Sequence, residues 1–110
     1  MEVTRAEAEQ WAPWFQALGD PTRILILHLL ATAGETLTVG DIVDRLDVGQ
    51  STVSHHLAKL AGQRFVTVER VGTTSRWRIN RRCLDAFPTA AEIVMNRVPS
   101  DFTVAVERAP

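Results

Sequence analysis

The chain has 110 residues, of which 45% are hydrophobic, and this size predicts one domain with apolar material left for a dimer interface. No run approaches the ~18 apolar residues of a membrane-spanning helix, and residues 1–11 are charged where a signal peptide is apolar. The single cysteine, Cys83, excludes an intramolecular disulfide framework and fits a reducing compartment, so we expect a cytoplasmic protein without a membrane partner.

The net charge of −1 conceals an uneven distribution, because residues 50–82 carry +6 and the rest of the chain carries −7. A polyanion would therefore meet a basic segment rather than the average charge. Ordinary surface charge is the simpler explanation of such a cluster taken alone. The case for nucleic acid therefore depends on the motifs inside the segment.

The first predicted helix covers residues 4–17. Its apolar side chains recur at helical spacing and form one stripe, made by Trp11, Trp14, Phe15 and Leu18. Pro13 lacks the backbone N–H that a helix interior needs, so we expect the helix to start late or to kink there.

The second predicted helix begins at Asp20 and Pro21, which are typical of an N-cap and a first helical residue. The run that follows is apolar almost all round and ends at Gly34, which predicts a central buried helix with His28 as a core histidine. We expect Arg23 to have a structural role in which it pairs with a carboxylate.

Two short helices joined by a tight turn follow. Thr38 is the expected N-cap of residues 39–46, whose inner stripe is Val39, Ile42, Val43 and Leu46, and Asp41 completes a capping-box-like pair. The turn at residues 47–49 is predicted to place Gly49 at a positive φ. The next helix, residues 50–62, buries Val53, Leu57 and Leu60. This arrangement predicts a helix-turn-helix.

The hydrophobic period then changes to that of strands. Phe65, Val66, Val68 and Val71 predict one strand, residues 71–75 a hairpin turn, and residues 76–80 a second strand with arginines on one side and Trp77 and Ile79 on the other. Pro88 is the expected first residue of a last helix that ends before Pro99. The pattern predicts a mostly α winged helix-turn-helix, in the order α1-α2-α3-α4-β-β-α5, as one domain over residues 1–98 with a tail at 99–110.

Three segments in this order carry a family resemblance: residues 15–30 (FQALGDPTRILILHLL), residues 37–60 (LTVGDIVDRLDVGQSTVSHHLAKL) and the hairpin at residues 65–80 (FVTVERVGTTSRWRIN). They resemble the ArsR/SmtB family of bacterial winged-helix repressors. The resemblance implies a homodimer built from the first and last helices, with Trp11, Trp14, Phe15, Phe87, Ile93 and Val94 at its interface. The alternative is that both stripes pack on their own domain. A two-fold dimer predicts a palindromic DNA operator.

The helix at residues 50–62 is the expected DNA-reading element, because its outer positions carry neutral hydrogen-bonding side chains that can approach base edges. Its N-terminus suits a phosphate. The expected DNA contacts are Gln50, Ser51, Thr52, Ser54, His55 and Lys59 on the helix, and Arg70, Thr73, Thr74 and Arg76 on the wing. Ser51 could instead be an ordinary helix cap, and His56 is expected to make an intramolecular contact.

This chain differs from the metal-sensing members of the family at the positions where those members bind their metals. Where the arsenic, cadmium and lead sensors carry two cysteines, this chain reads Thr38-Val39-Gly40-Asp41, and residues 84–98 contain no histidine for a zinc-type site. We therefore expect no metal, no cofactor and an effector that is not a family-typical metal. The alternative is a metal- or redox-responsive repressor that uses Cys83 across a dimer interface, although a small buried hydrophobe is the simpler role for Cys83.

Two other classes of function are less well supported. A winged-helix module that binds protein instead of DNA would be expected to lose the basic wing, which this chain keeps. An enzyme is not expected, because no nucleophile–base order, phosphate loop or carboxylate pair is present in the sequence.

Overall fold

The computed structural model describes residues 2–96. Its elements occur in the predicted order: α1 (Arg5–Ala17), α2 (Pro21–Ala33), α3 (Val39–Leu46), α4 (Gln50–Gly62), β1 (Val66–Val71), β2 (Thr74–Ile79) and α5 (Arg81–Val94). No helix in this part of the chain is long and apolar enough to cross a bilayer. The predicted stop at Pro99 and the tail at 99–110 lie outside the described residues.

Side-chain caps start the first three helices. Thr4 and Glu7 form a capping box that begins α1 at Arg5, so the prediction that Pro13 delays the start is wrong. Asp20 accepts hydrogen bonds from the backbone N–H groups of Thr22 and Arg23 at the start of α2, as predicted. These caps satisfy backbone donors that have no partner within their helices.

A reciprocal pair also caps α3. The Thr38 backbone N–H donates to Asp41 Oδ2 at 3.0 Å, and the Asp41 N–H donates to Thr38 Oγ1 at 3.1 Å. Thr38 and Asp41 therefore form the predicted capping box, which fixes where the first helix of the helix-turn-helix begins.

The core lies between α2, α3, α4 and the hairpin. The predicted stripe of α4 is confirmed, because Val53, Leu57 and Leu60 are each fully buried. Ile42 of α3 is fully buried against them, and its neighbours Val39, Val43 and Leu46 pack at the edge of the same cluster. Burying each large aliphatic side chain stabilises the fold by about 1.5–3 kcal/mol relative to its exposure.

The second helix is buried on one side only. Ile26 and Leu30 face the core, but Ile24 and Leu25 are 52% and 53% exposed. The prediction of a helix buried all round is wrong because α3, α4 and β2 all pack against one side of α2. His28 lies on the exposed side, so the prediction that it is a core histidine is also wrong.

The turn between α3 and α4 uses a different residue from the one expected. Asp47 adopts the left-handed conformation with φ 52°, whereas Gly49 has φ −61° and is the N-cap of α4. Aspartate tolerates this region better than most residues because its short polar side chain can bond locally. The alternative of Ser51 as a helix cap is wrong, because no side chain caps α4.

The wing is a two-stranded antiparallel hairpin in which Val66 pairs with Ile79 and Val71 with Thr74. Gly72 has φ 64° in its two-residue turn, a conformation that favours glycine. Leu37, just before α3, pairs with Trp77 through two backbone hydrogen bonds of 2.9 and 2.7 Å. This bridge fastens the wing to the helix-turn-helix.

The last helix begins seven residues earlier than predicted. The Asn80 side chain accepts from the Arg82 backbone N–H and starts α5 at Arg81, which leaves Pro88 inside the helix instead of at its first position. The Asn80 Nδ2 also donates to the Arg64 carbonyl at 2.7 Å. Asn80 therefore joins the end of the wing to α5. Its capping hydrogen bond stabilises the helix and so offsets part of the stability that is lost because Pro88 has no backbone N–H to donate.

The caps predict a specific loss of stability in acid. Backbone hydrogen bonds from Arg23 and Thr22 lower the pKa of Asp20, and hydrogen bonds from Thr38 lower the pKa of Asp41. A carboxyl whose pKa is lower in the folded state stabilises the fold above its unfolded pKa of about 3.9 and loses that contribution as pH falls through the folded value. Folding stability should therefore fall in this acidic range partly through these two groups.

Denaturant titrations at pH 6 and pH 3, followed by helical circular dichroism, measure this loss. An Asp20→Asn, Asp41→Asn double variant keeps the capping oxygens without their titration and should lose less stability between the two pH values than the parent. Asp44→Asn, at an exposed position of α3 with no hydrogen bond in the described structure, is the matched control. An equal loss in the parent and the double variant would contradict the prediction.

Candidate nucleic-acid interface

The outer face of α4 is open to solvent along its length. Because its other face is fully buried, the helix must present its polar positions outward. The predicted contact residues on α4 are all exposed, namely Gln50, Ser51, Thr52, Ser54, His55 and Lys59. The uncapped N-terminus of α4 leaves backbone N–H groups free, at the positive end of the helix dipole. The backbone N–H groups of this surface can donate hydrogen bonds to an anion, and its side chains can donate to and accept from base edges.

His56 points the other way, into a polar cluster between α4 and the α1–α2 junction. It is half-buried, its Nδ1 accepts from Arg23 Nη1 at 3.5 Å, and its Nε2 lies 3.9 Å from Asp20 Oδ1. Accepting from a guanidinium requires an unprotonated Nδ1. The predicted intramolecular role of His56 is therefore confirmed, while His55 remains outside.

Arg23 connects this cluster to the end of α1. Its Nε donates to the Ala17 carbonyl at 2.6 Å and its Nη2 to the Gln16 carbonyl at 3.4 Å. The expected structural role is confirmed, but the expected carboxylate partner is wrong: within residues 2–96 the guanidinium bonds are to carbonyls and to His56. A cation at the C-terminal end of α1 also complements the helix dipole.

The tip of the wing carries the second group of predicted contacts. Thr73 and Thr74 are exposed at the turn. Arg70 lies opposite Ser75 in the register, and its Nη1 donates to Ser75 Oγ at 3.0 Å. This bond leaves the guanidinium exposed beside the turn, where its other donors can reach a phosphate or a minor groove.

Arg76 differs from the other predicted contacts. Its Nε donates to Thr36 Oγ1 at 2.8 Å and its Nη2 to the Thr36 carbonyl at 3.1 Å, and the side chain is half-buried. Arg76 thus holds the loop before α3 against the wing. Strand alternation places Arg76 on the arginine side, but no local sequence signal identifies a partner 40 residues away.

The predicted dimer residues lie on α1 and α5. Phe15 and Phe87 join the two helices with ring centroids 5.0 Å apart, and Phe87 also contacts Phe65 at 5.4 Å. Trp14 and Phe87 pack against the core from the edge, so part of this stripe serves its own domain. Trp11 and Ile93 are half-buried, and Phe15 and Val94 remain 38% and 50% exposed, which leaves apolar surface on both helices.

Cys83 is buried in the core cluster, and burial raises the pKa of its thiol. The simpler expectation, a small buried hydrophobe, is therefore confirmed within the chain. Among the side chains that the structure describes, no three from histidine, cysteine, aspartate or glutamate come together in a group that could hold a metal ion.

Comparisons with known proteins agree on one kind of protein. The family described as bacterial regulatory protein, arsR family, matches residues 20–68. An uncharacterized HTH-type transcriptional regulator of Methanocaldococcus jannaschii is 45% identical over 59% of this chain and 72% of its own length. An arsenical resistance operon repressor of Staphylococcus xylosus is 32% identical over 72% of this chain and 74% of its own length.

A solved structure extends the likeness to the whole described fold. The homodimeric winged helix-turn-helix DNA-binding domain of a possible ArsR-family regulator of Mycobacterium bovis superposes with a TM-score of 0.67 at 25% identity, covering 96% of this chain and 91% of that one. The similarity includes α1 and α5, which lie outside the matched range 20–68.

Proposed function

This chain belongs to the arsR family of bacterial regulatory proteins and is a DNA-binding transcriptional repressor, not an enzyme, and we propose that it binds a palindromic operator as a homodimer. The observation that carries the proposal is the division of α4 into a fully buried apolar face and an exposed neutral polar face. A helix that needs only to be soluble does not require such a face, whereas base edges require neutral donors and acceptors at close range.

Within this proposal the helix provides specificity. Ser54 and His55 lie one turn into α4, and their exposure supports the proposal that they contact base edges. Gln50 suits the two hydrogen-bonding atoms of an adenine. Ser51 and Thr52 suit a phosphate at the helix N-terminus. Lys59 is exposed and has no ion pair in the described structure, so its charge is free for a phosphate. The hydrogen bond of His56 with Arg23 and its contact with Asp20 link α4 to the junction of α1 and α2.

The wing provides most of the affinity that is independent of sequence. Arg70, Thr73 and Thr74 surround the turn that Gly72 makes tight, so they reach the backbone beside the groove that α4 enters. The contacts of Arg76 with Thr36 make it a support of the wing, and we assign it a weaker contribution to DNA contact than Arg70.

The homodimer follows from apolar surface on the first and last helices. Phe15 and Val94 expose apolar area that a second copy could bury, and the similar Mycobacterium bovis domain is described as homodimeric. A two-fold axis between the copies would place two α4 helices about 34–36 Å apart on one side of the DNA. The operator should therefore be two half-sites with inverted symmetry.

The proposed repressor does not respond to soft metals through α3. Thr38 and Gly40 stand where the resembled metal sensors carry thiolates, and the Thr38 side chain is occupied with capping the helix together with Asp41. A soft-ion site needs two or three thiolates, and the one cysteine of the chain is buried.

Selection of bound duplexes from a randomised library tests the proposal as a whole. The expected product is a sequence with inverted symmetry, bound with an affinity that falls steeply as salt rises. No enrichment, together with binding that salt does not weaken, would favour the protein-binding module instead.

Replacing His55 by Ala should reduce specific binding more than non-specific binding. Loss of a base-edge contact costs about 1–3 kcal/mol and relaxes the preference at one position of each half-site. Ser54→Ala should act in the same direction. Fluorescence anisotropy with the selected operator and with a scrambled duplex measures both affinities. His28→Ala removes an exposed histidine from α2 and is the matched control; equal affinities for the parent and His55→Ala would refute the assignment.

Replacing Arg70 by Gln should instead weaken binding to operator and scrambled DNA by the same factor. A lost phosphate contact reduces the slope of log affinity against log salt by about 1. The same anisotropy titrations over a range of salt concentrations give this slope. Arg5→Gln removes an exposed arginine that is paired with Glu9 and should leave the slope unchanged. A loss confined to operator DNA would show that Arg70 reads bases.

A charge at Val94 should separate the dimer. Val94 on α5 and Val68 on the wing are 50% and 48% exposed, so the two positions tolerate Glu equally well in a monomer. Val94→Glu would bury a carboxylate in the proposed interface, which is unfavourable without a partner. Sedimentation equilibrium should give a monomer for Val94→Glu and a dimer for both the parent and Val68→Glu. A monomeric parent, or a dimeric Val94→Glu protein, would contradict the proposed interface.

A further inference from the structure

An open groove of about 520 Å³ lies where α2, the base of the wing and α5 meet. Its volume falls within the range of small-molecule sites, about 300–1,000 Å³. The buried side chains Leu30 and Ile79 contribute its apolar part. The remainder of the lining comes from the end of α2, the loop that follows it, both strands and the start of α5.

The lining of this groove carries two positive charges. Arg78 and Arg81 are exposed, and neither has an acidic partner among the side chains that the structure describes. Arg78 Nε donates to Thr67 Oγ1 at 3.3 Å, which holds its guanidinium beside the groove while its terminal nitrogens stay free. Guanidinium groups bind carboxylates and phosphates through parallel N–H bonds, so this part of the lining suits an anion.

Among the described residues of the lining, Glu35 is the acidic one. Glu35 Oε1 lies 3.9 Å from Arg45 Nη2, so part of its charge is compensated from outside the groove. The charge that a ligand meets is therefore positive beside Arg78 and Arg81 and partly compensated beside Glu35. A ligand with an anionic end and an apolar body matches this arrangement.

The groove is separate from the proposed DNA surface. No residue of α4 lines it. Arg78 lies six residues along the strand from Gly72 at the wing tip, which is about 20 Å at the rise of an extended strand. A DNA phosphate held at the wing tip would therefore not occupy the groove.

The groove is nevertheless lined by a residue that helps to hold the wing in place. Thr36 lines it, and the hydroxyl and carbonyl of Thr36 accept the two hydrogen bonds that hold Arg76. A ligand that competes for the Thr36 hydroxyl, or orders it, would change how firmly the wing is attached to the helix-turn-helix. Asn80 and Arg81, at the start of α5, would transmit the same event to the helix assigned to the dimer.

We propose that this groove is an effector site for a small organic anion, a carboxylate or phosphate monoester that carries an apolar group. Arg78 and Arg81 bind the anionic end, Thr67 supports Arg78, and Leu30 and Ile79 contact the apolar end. The regulatory part of this inference rests on the proposed repressor function; the binding part does not.

Isothermal titration calorimetry on the full chain without DNA tests the binding part. The probes are phenyl phosphate, benzoate and inorganic phosphate. Phenyl phosphate or benzoate should bind with a defined stoichiometry, and more tightly than inorganic phosphate because of the apolar end. An Arg78→Gln, Arg81→Gln double variant should weaken that binding about tenfold or more, since each lost charge-assisted bond is a strong one.

Two single variants make this test specific. Arg82→Gln removes a neighbouring exposed arginine that does not line the groove and should leave binding unchanged. Glu35→Gln should tighten binding, because it removes a negative charge from the lining. Absence of heat with all three probes, or an equal loss in Arg82→Gln and the double variant, would overturn the site.

Operator binding with and without the bound probe tests the regulatory part. The operator Kd of the parent should change at least threefold when phenyl phosphate or benzoate saturates the groove, and this change should vanish in the double variant. Probe binding that leaves the operator Kd unchanged would overturn the effector role. Failure of the probe-free parent to bind any selected DNA would instead count against the proposed function, so the two failures are distinguishable.

Discussion

The buried face of α4 is the constraint on which the rest of the structure depends. Val53, Leu57 and Leu60 are each fully excluded from water against α2 and α3. Turning the helix to hide its polar face would expose all three, at a cost of about 1.5–3 kcal/mol for each. The helix therefore has one stable rotation about its axis, and that rotation directs Ser54 and His55 outward. Hydrophobic burial, which has no direction of its own, thus orients the residues proposed to read DNA.

Burial fixes the rotation of α4, and a second set of contacts links the helix to the junction of α1 and α2. Arg23 and His56 connect the outer half of α4 to the carbonyl groups at the end of α1 and to the cap of α2. These groups are only partly buried, so each bond stabilises the fold by a modest amount. These contacts help to position the face of α4 that we propose reads base edges. Two adjacent histidines, His55 and His56, therefore divide between an external and an internal role.

Predictions from sequence succeeded where the determinant is local. The order of the elements, the cap at Asp20 and the stripe of α4 follow from residues within one or two turns of each other. Predictions failed where a contact between residues far apart in the sequence determines the burial or the partner of a side chain. Burial of α2 on one side depends on what packs there, and the engagement of Arg76 depends on Thr36, 40 residues away. Pro88 was misplaced as a helix start because the Asn80 cap, eight residues earlier, begins α5 and proline is tolerated inside it.

The positions of the charges suggest why regulation could act through the wing. The outer face of α4 has one cation, Lys59, which is why we propose that the hairpin supplies most of the affinity for the phosphate backbone. The hairpin is attached to the helices by the Leu37–Trp77 bridge and by the bonds of Arg76 to the loop before α3. A change in that attachment alters where the charges of the wing lie without disturbing the buried face of α4. The preference for one operator sequence would then be kept while the affinity for DNA changes. A repressor with these properties can be released from its operator and later bind the same operator again.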